Sequence, residues 1–167
     1  PAGMVLDGDG VLVQLQAKQA FGGTTDSVGL AFDGTNYLTA YMDYRNGDLS
    51  CNIYGKRVTK SVSILDSNGI LISSAAREQR SAAVASSGNG YLIAWAEFLG
   101  GTENMNTYAT TADASGTILG NTPISIATGA AFQGGPLAVW NGNHYLIAWG
   151  EALGAQGTRA LRVNSQG

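Results

Sequence analysis

The chain has 167 residues, 44% hydrophobic and only 13% charged, with a net charge of −3. That length suits one domain with a sizeable core, and the acidic balance argues against nucleic acid and anionic membrane surfaces as partners. No apolar run reaches the roughly 18 residues of a transmembrane helix, and the single cysteine, Cys51, excludes an internal disulfide or a cysteine-rich metal site, leaving an incidental thiol or a bridge between chains.

Charged residues usually make up about 25% of a soluble chain, so this surface is unusually neutral. Gly, Ser, Thr, Asn and Ala dominate the polar positions, and there are 24 glycines. Such a composition favours short strands and tight turns over helices. No signal peptide is visible, and the chain opens at Pro1, as a processed or trimmed chain would.

Residues 4–16, MVLDGDGVLVQLQ, read as the end of one strand, a turn and a second strand. The DGDG within it resembles the start of a calcium loop. An EF-hand loop needs further oxygen ligands and a later Glu, and VLVQLQ supplies neither, so a plain turn is expected. AFGG (20–23) follows. VGLAF (28–32), YLTAYMDY (37–44), NIYGKRVT (52–59) and GILIS (69–73) are then four predicted strands, A to D.

The series repeats. SAAVAS (81–86) is strand A, SGNG is a tight turn read on Asn-Gly, and YLIAWAEF (91–98) is strand B. NTYATTAD (106–113) is strand C, ASG turns the chain, and ISIAT (124–128) is strand D. A third copy runs to RALRVNSQG (159–167) with strands A, B and C and no D. No window shows the 3.6-residue period of an amphipathic helix.

Tyr37, Tyr91 and Tyr145 stand 54 residues apart. In that register fall Gly34, Gly88 and Gly142; Leu38, Leu92 and Leu146; Ala40, Ala94 and Ala148; Tyr41, Trp95 and Trp149; and Asp43, Glu97 and Glu151. Ten of the thirteen positions from Gly88 to Gly100 recur unchanged in the third copy, which only internal duplication explains. Along strand B, Tyr91, Ile93 and Trp95 share one face while Leu92, Ala94 and Ala96 share the other. Large residues on one face and small ones on the other suit sheets that stack and interdigitate.

The pattern Gly-x-x-Tyr-Leu-x-Ala-Trp-x-Glu, then IYGKRV or TYATTA, then SGTIL, resembles the blade repeat of a family of bacterial β-propellers. The resemblance covers nearly the whole chain and implies an all-β fold. Neither the Asp-box of sialidase-type propellers nor the Trp-Asp signature of the WD40 type is present. The implied organisation is a closing strand at 1–26, blades at 27–80 and 81–134, and a blade at 135–167 that lacks its last strand. Propellers have 4–8 blades, and three would stand too far open for face-to-face burial. A homodimeric six-bladed ring is therefore expected, each N-terminal strand closing the partner's last blade. The alternatives are a β-trefoil or another closed three-part fold, an open assembly, and a fragment of a longer propeller.

Function is less legible, because propellers host lectins, enzymes and scaffolds alike. Asp43, Glu97 and Glu151 end strand B in each copy. They form either a polar rim for a sugar or cation, or structural partners for loop backbone or for arginines such as Arg57 or Arg162. The D-to-A loops hold Phe21, Phe132, Arg77, Glu78 and Arg80 and break the repeat: AREQR stands where AAFQG stands in the next copy. An aromatic beside carboxylates and amides is what a glycan site needs. His144, the only histidine, belongs to no Ser–His–Asp or metal arrangement, and no phosphate loop precedes a helix. The expectation is a non-enzymatic, lectin-like module without cofactor or metal, secreted or at a bacterial cell surface. A scaffold with no small ligand comes second and a glycan-active enzyme third.

Overall fold

Period-2 patterning and glycine-marked turns produce three antiparallel sheets. A computed structural model of the chain describes residues 10, 12–13, 28–45, 51–100, 104–153 and 155–165. Sheet 1 runs β1 (Gly29–Phe32), β2 (Asn36–Asp43), β3 (Asn52–Thr59), β4 (Ile70–Ser73). Sheet 2 runs β5 (Gln79–Ser86), β6 (Gly90–Phe98), β7 (Met105–Asp113), β8 (Ile118–Ala127). Sheet 3 has β9 (Phe132–Trp140), β10 (Tyr145–Leu153) and β11 (Ala155–Val163). All pairings are between sequence neighbours, and there is no helix among the described residues. The strand expected within residues 1–26 lies outside the described residues, apart from Gly10, Leu12 and Val13.

The A–B hairpins share one turn. Asp33 N, Ser87 N and Asn141 N donate to Asn36 O, Gly90 O and His144 O, closing two-residue loops. Gly34, Gly88 and Gly142 hold the first loop position at φ +99, +87 and +97°. The sequence places the positive φ on Asn89-Gly90; it falls instead on Gly88, as a type II′ turn requires. Gly90 is needed for a different reason, since a Cβ there would run into the Ala112 carbonyl oxygen of the paired strand.

The alternation of large and small faces sets the stacking. Leu38, Ala40 and Met42 of β2 meet Tyr91, Ile93 and Trp95 of β6 in one core cluster. Leu92 and Ala94 of β6 meet Tyr145, Ile147 and Trp149 of β10 in a second. Each sheet thus lays its large face on the small face of the sheet before it. A buried aromatic contributes roughly 2–3 kcal/mol, so each junction rests mainly on its Tyr and Trp.

Strand A of sheets 2 and 3 bulges opposite the strand B tryptophan. In β5 the register slips between Arg80 and Ala83, and in β9 it slips opposite Ala148–Gly150. Ser81 and Gly135, equivalent in the repeat, take φ of 55 and 65°. Positive φ at the first bulge residue bends the strand and sharpens its twist. β1, β5 and β9 then lie side by side and line one groove of about 420 Å³.

Candidate functional site

The three strand-end carboxylates meet different arginines. Asp43 is buried and accepts from Arg45 N and Nε at 2.9 Å and from Arg45 Nη2 at 2.6 Å. The same guanidinium lies 3.8 Å over the Tyr54 ring. Burial works to raise the Asp43 pKa, but the Arg45 bonds outweigh it and hold the carboxyl below its ordinary range. Glu151 Oε1 forms an ion pair with Arg159, 2.8 Å from its Nε. Among the described residues, the cation nearest Glu97 is Arg77, its Nε at 4.0 Å. Burial pushes the Glu97 pKa up, and Arg77 offsets only part of that.

The partners differ from those the sequence suggests. Arg57 is bound two-pronged to Asp66, at 2.9 and 2.8 Å, far along sheet 1 from Asp43. Arg162 is exposed on β11. Of the D-to-A loop residues, Arg77 reaches Glu97, whereas Arg80 folds back on Glu78 through two 2.9 Å bonds and over the Phe98 ring. Phe132 is half-buried, its ring lying over Gly134. Phe21 lies outside the described residues. Arg77 and Glu97 come together; Asp43, Glu151 and Phe132 stand apart, each on its own sheet.

Motif reasoning misses the aligned pair Gln79 and Gln133, though its 54-residue spacing is visible in the sequence. Gln79 is fully buried. Its Oε1 accepts from Ile53 N at 3.1 Å and its Nε2 donates to Ser73 Oγ at 2.6 Å, pinning sheet 2 to sheet 1. Beside it, the buried Cys51 thiol donates to Gln79 O at 2.9 Å, and burial pushes that thiol's pKa up. Gln133 holds the second junction differently: its carbonyl accepts from Thr107 Oγ1 at 2.9 Å, and its Oε1 is buried without a partner among the described residues.

The opposite rim, at the A–B turns, is where the junctions diverge most. At the first, Tyr91 donates to Asp33 Oδ2 at 2.7 Å, with Asn36 O at 3.2 Å. Asp33 Oδ1 also accepts from Thr35 N and Asn36 N at 2.7 Å. Burial acts to raise the Asp33 pKa; these bonds prevail and lower it. The phenol of Tyr91 is pushed up, by burial first and then by Asp33. At the second junction Ser87 takes the place of Asp33, and the Tyr145 hydroxyl meets no acceptor among the described residues. Trp140 occupies the position of Ser86, its ring 4.7 Å from that of Tyr145. A cleft of about 360 Å³ opens there, between Ser87 and Asn89 on one wall and Trp140 and Asn143 on the other, with Asp113 at its edge. The signal for it is in the sequence: Asp33, Ser87 and Asn141 begin the three turns, 54 residues apart.

Comparison with models of known families and with curated proteins gives no match. Among the described residues no cluster of His, Cys, Asp and Glu could hold a metal ion.

Proposed function

We propose that two copies of the chain close head to tail into a six-bladed β-propeller, and that this ring is a carbohydrate-binding module, secreted or at a bacterial cell surface. One observation carries the assembly. The faces left open at the two ends of the stack are the two halves of the junction that the chain already builds twice. Sheet 1 leaves the β1 side of its large face open, with Leu30 58% and Phe32 41% exposed, while Tyr41 further along that face is buried. Sheet 3 leaves its small face open, with Leu137 72%, Val139 54% and Leu146 38% exposed. Monomeric proteins rarely expose contiguous apolar faces of this kind.

Two further features support the ring. β11 pairs only with β10 among the described residues, so sheet 3 has an edge ready for a fourth strand. The Val13 carbonyl accepts from Lys56 Nζ at 3.2 Å, on the large face of sheet 1. In the inner junction β4 holds the corresponding place, its Ile72 in the same core cluster as Trp95. Val13 on this face supports a reading in which the N-terminal strand serves as the last strand of a partner's sheet 3. Separate sheets stacked large face on small favour this ring over a β-trefoil, whose strands share one barrel.

Carbohydrate is the ligand class that the turn rim suits. The tilted pairs Phe32–Tyr37 and Trp140–Tyr145, each at 4.7 Å, stand beside the turn amides Asn36 and Asn143. Rings meet the C–H faces of sugars and amides meet their hydroxyls, and repetition around a ring multiplies weak contacts. A scaffold with no small ligand is the reading that the arginine-held carboxylates Asp43 and Glu151 favour. A glycan array separates the two: retention of at least one glycan class is expected, weaker for a Leu137→Asp chain that cannot close the ring. A blank array would leave the scaffold. Turnover of chromogenic glycosides, lost on Glu97→Gln or Glu151→Gln, would replace both with a glycan-active enzyme.

A further inference from the structure

We infer that the cleft between sheets 2 and 3 is a subsite for a single pyranose ring, stacked on Trp140 and hydrogen-bonded by Tyr145 and the turn amides. The inference rests on the carbohydrate reading for its ligand class but not on the ring assembly, since one chain supplies every wall. Its basis is a pair of departures from the repeat that occur together. At the first junction the aromatic position is Ser86 and the tyrosine hydroxyl is consumed by Asp33. At the second junction the aromatic is Trp140, and the acceptor has shrunk to Ser87, whose own hydroxyl makes only a 3.5 Å contact to Gly90 O. One change supplies a stacking surface; the other frees a phenol beside it.

The geometry fits a small polyol. At about 360 Å³ the cleft is at the low end of ligand pockets, which run from about 300 to 1,000 Å³. Trp140 is half-buried, with one edge held against Tyr145. Asn89 and Asn143 are exposed on facing turns, each offering a donor pair and an acceptor. Asp113 Oδ1 accepts from Ser115 Oγ and Thr117 N at 2.6 and 2.9 Å, and the exposed carboxylate has further lone pairs that could accept from a sugar hydroxyl. Its low pKa, set first by the Ser115 bond, keeps it an acceptor at neutral pH. Nothing here is arranged to break a glycosidic bond; the groups are those of recognition.

Tryptophan fluorescence of the 167-residue chain tests this, because Trp95 and Trp149 are buried and Trp140 is not. The probes are the methyl pyranosides of galactose, mannose, N-acetylglucosamine and fucose, together with any glycan retained on an array. At least one is expected to shift or quench the emission. Ser87→Asp, which hands Tyr145 the acceptor that Tyr91 has, is expected to weaken that probe about tenfold or more without lowering the melting temperature. Trp140→Ser, copying the first junction, removes the reporting fluorophore, so its binding is read by titration calorimetry, where it should be abolished. A probe bound equally well by both variants overturns the subsite and leaves the carbohydrate reading standing. If no probe binds by fluorescence or on the array, both fall together.

Discussion

Ser81 carries a left-handed backbone, φ 55°, at a bulge where the next repeat has Gly135. A Cβ in that region costs about 1–2 kcal/mol, against about 0.5–1 kcal/mol of extra chain entropy lost by glycine. Ser81→Gly is therefore expected to stabilise by about 0.5–1 kcal/mol, a rise of roughly 2–3 °C in the thermal midpoint. Glu97 gives a prediction of a different kind. Burial raises its pKa above the ordinary 4.5, so its charged form is disfavoured in the fold. The sign follows: its contribution is fully present below pH 4.5 and is lost as pH rises through the raised value. Glu97→Gln mimics the protonated form. It should leave the midpoint unchanged near pH 4 and raise it at pH 7, as calorimetry at the two pH values would show. Asp33, Asp43 and Asp66 act with the opposite sign: their pKa values are lowered, so their contribution is present above the ordinary 3.8 and is lost as pH falls from there through the lowered values.

At the scale of the element, the two inner junctions are one design with one interchange at the turn rim. Tyr91 donates to a carboxylate, and Tyr145 has no acceptor among the described residues. Tyr91→Phe should cost about 1.5–3 kcal/mol, the range for a hydrogen bond to a charged group, while Tyr145→Phe should stay within about 0.5 kcal/mol. Equal losses in denaturant titrations would mean that the junctions do not differ as described. Strands A, B and C are legible in the sequence because period-2 runs and repeated glycines mark them. β8 is not: it begins at Ile118, whereas the alternation suggests Ile124. Gly120 and Pro123 interrupt the alternation, yet β8 is an edge strand, where a proline removes no ladder bond. The register shift between Ala109 and Thr111 takes up the residues between Leu119 and Ile124. The strand-end carboxylates are legible as a series, but their arginines are not. Arg45, Arg77 and Arg159 come from three different positions in the repeat, so no spacing links them. The cleft is written in the departures at Ser87 and Trp140, which have meaning only once Tyr145 is seen to face them.

For the whole molecule the controlling fact is that stacking by large-on-small faces has no natural end. Two junctions are satisfied within the chain, and one large face and one small face are left over, with an edge of β11 unpaired among the described residues. In the proposed ring, a head-to-tail pair of chains would satisfy both faces twice over and leave no remainder, which an open filament could not do. The measurement that reaches this most directly is solution mass by light scattering on the purified chain at micromolar concentration. A single species at twice 17.2 kDa is expected, falling toward one chain for Leu137→Asp. A monodisperse species at 17.2 kDa would contradict the two-chain ring.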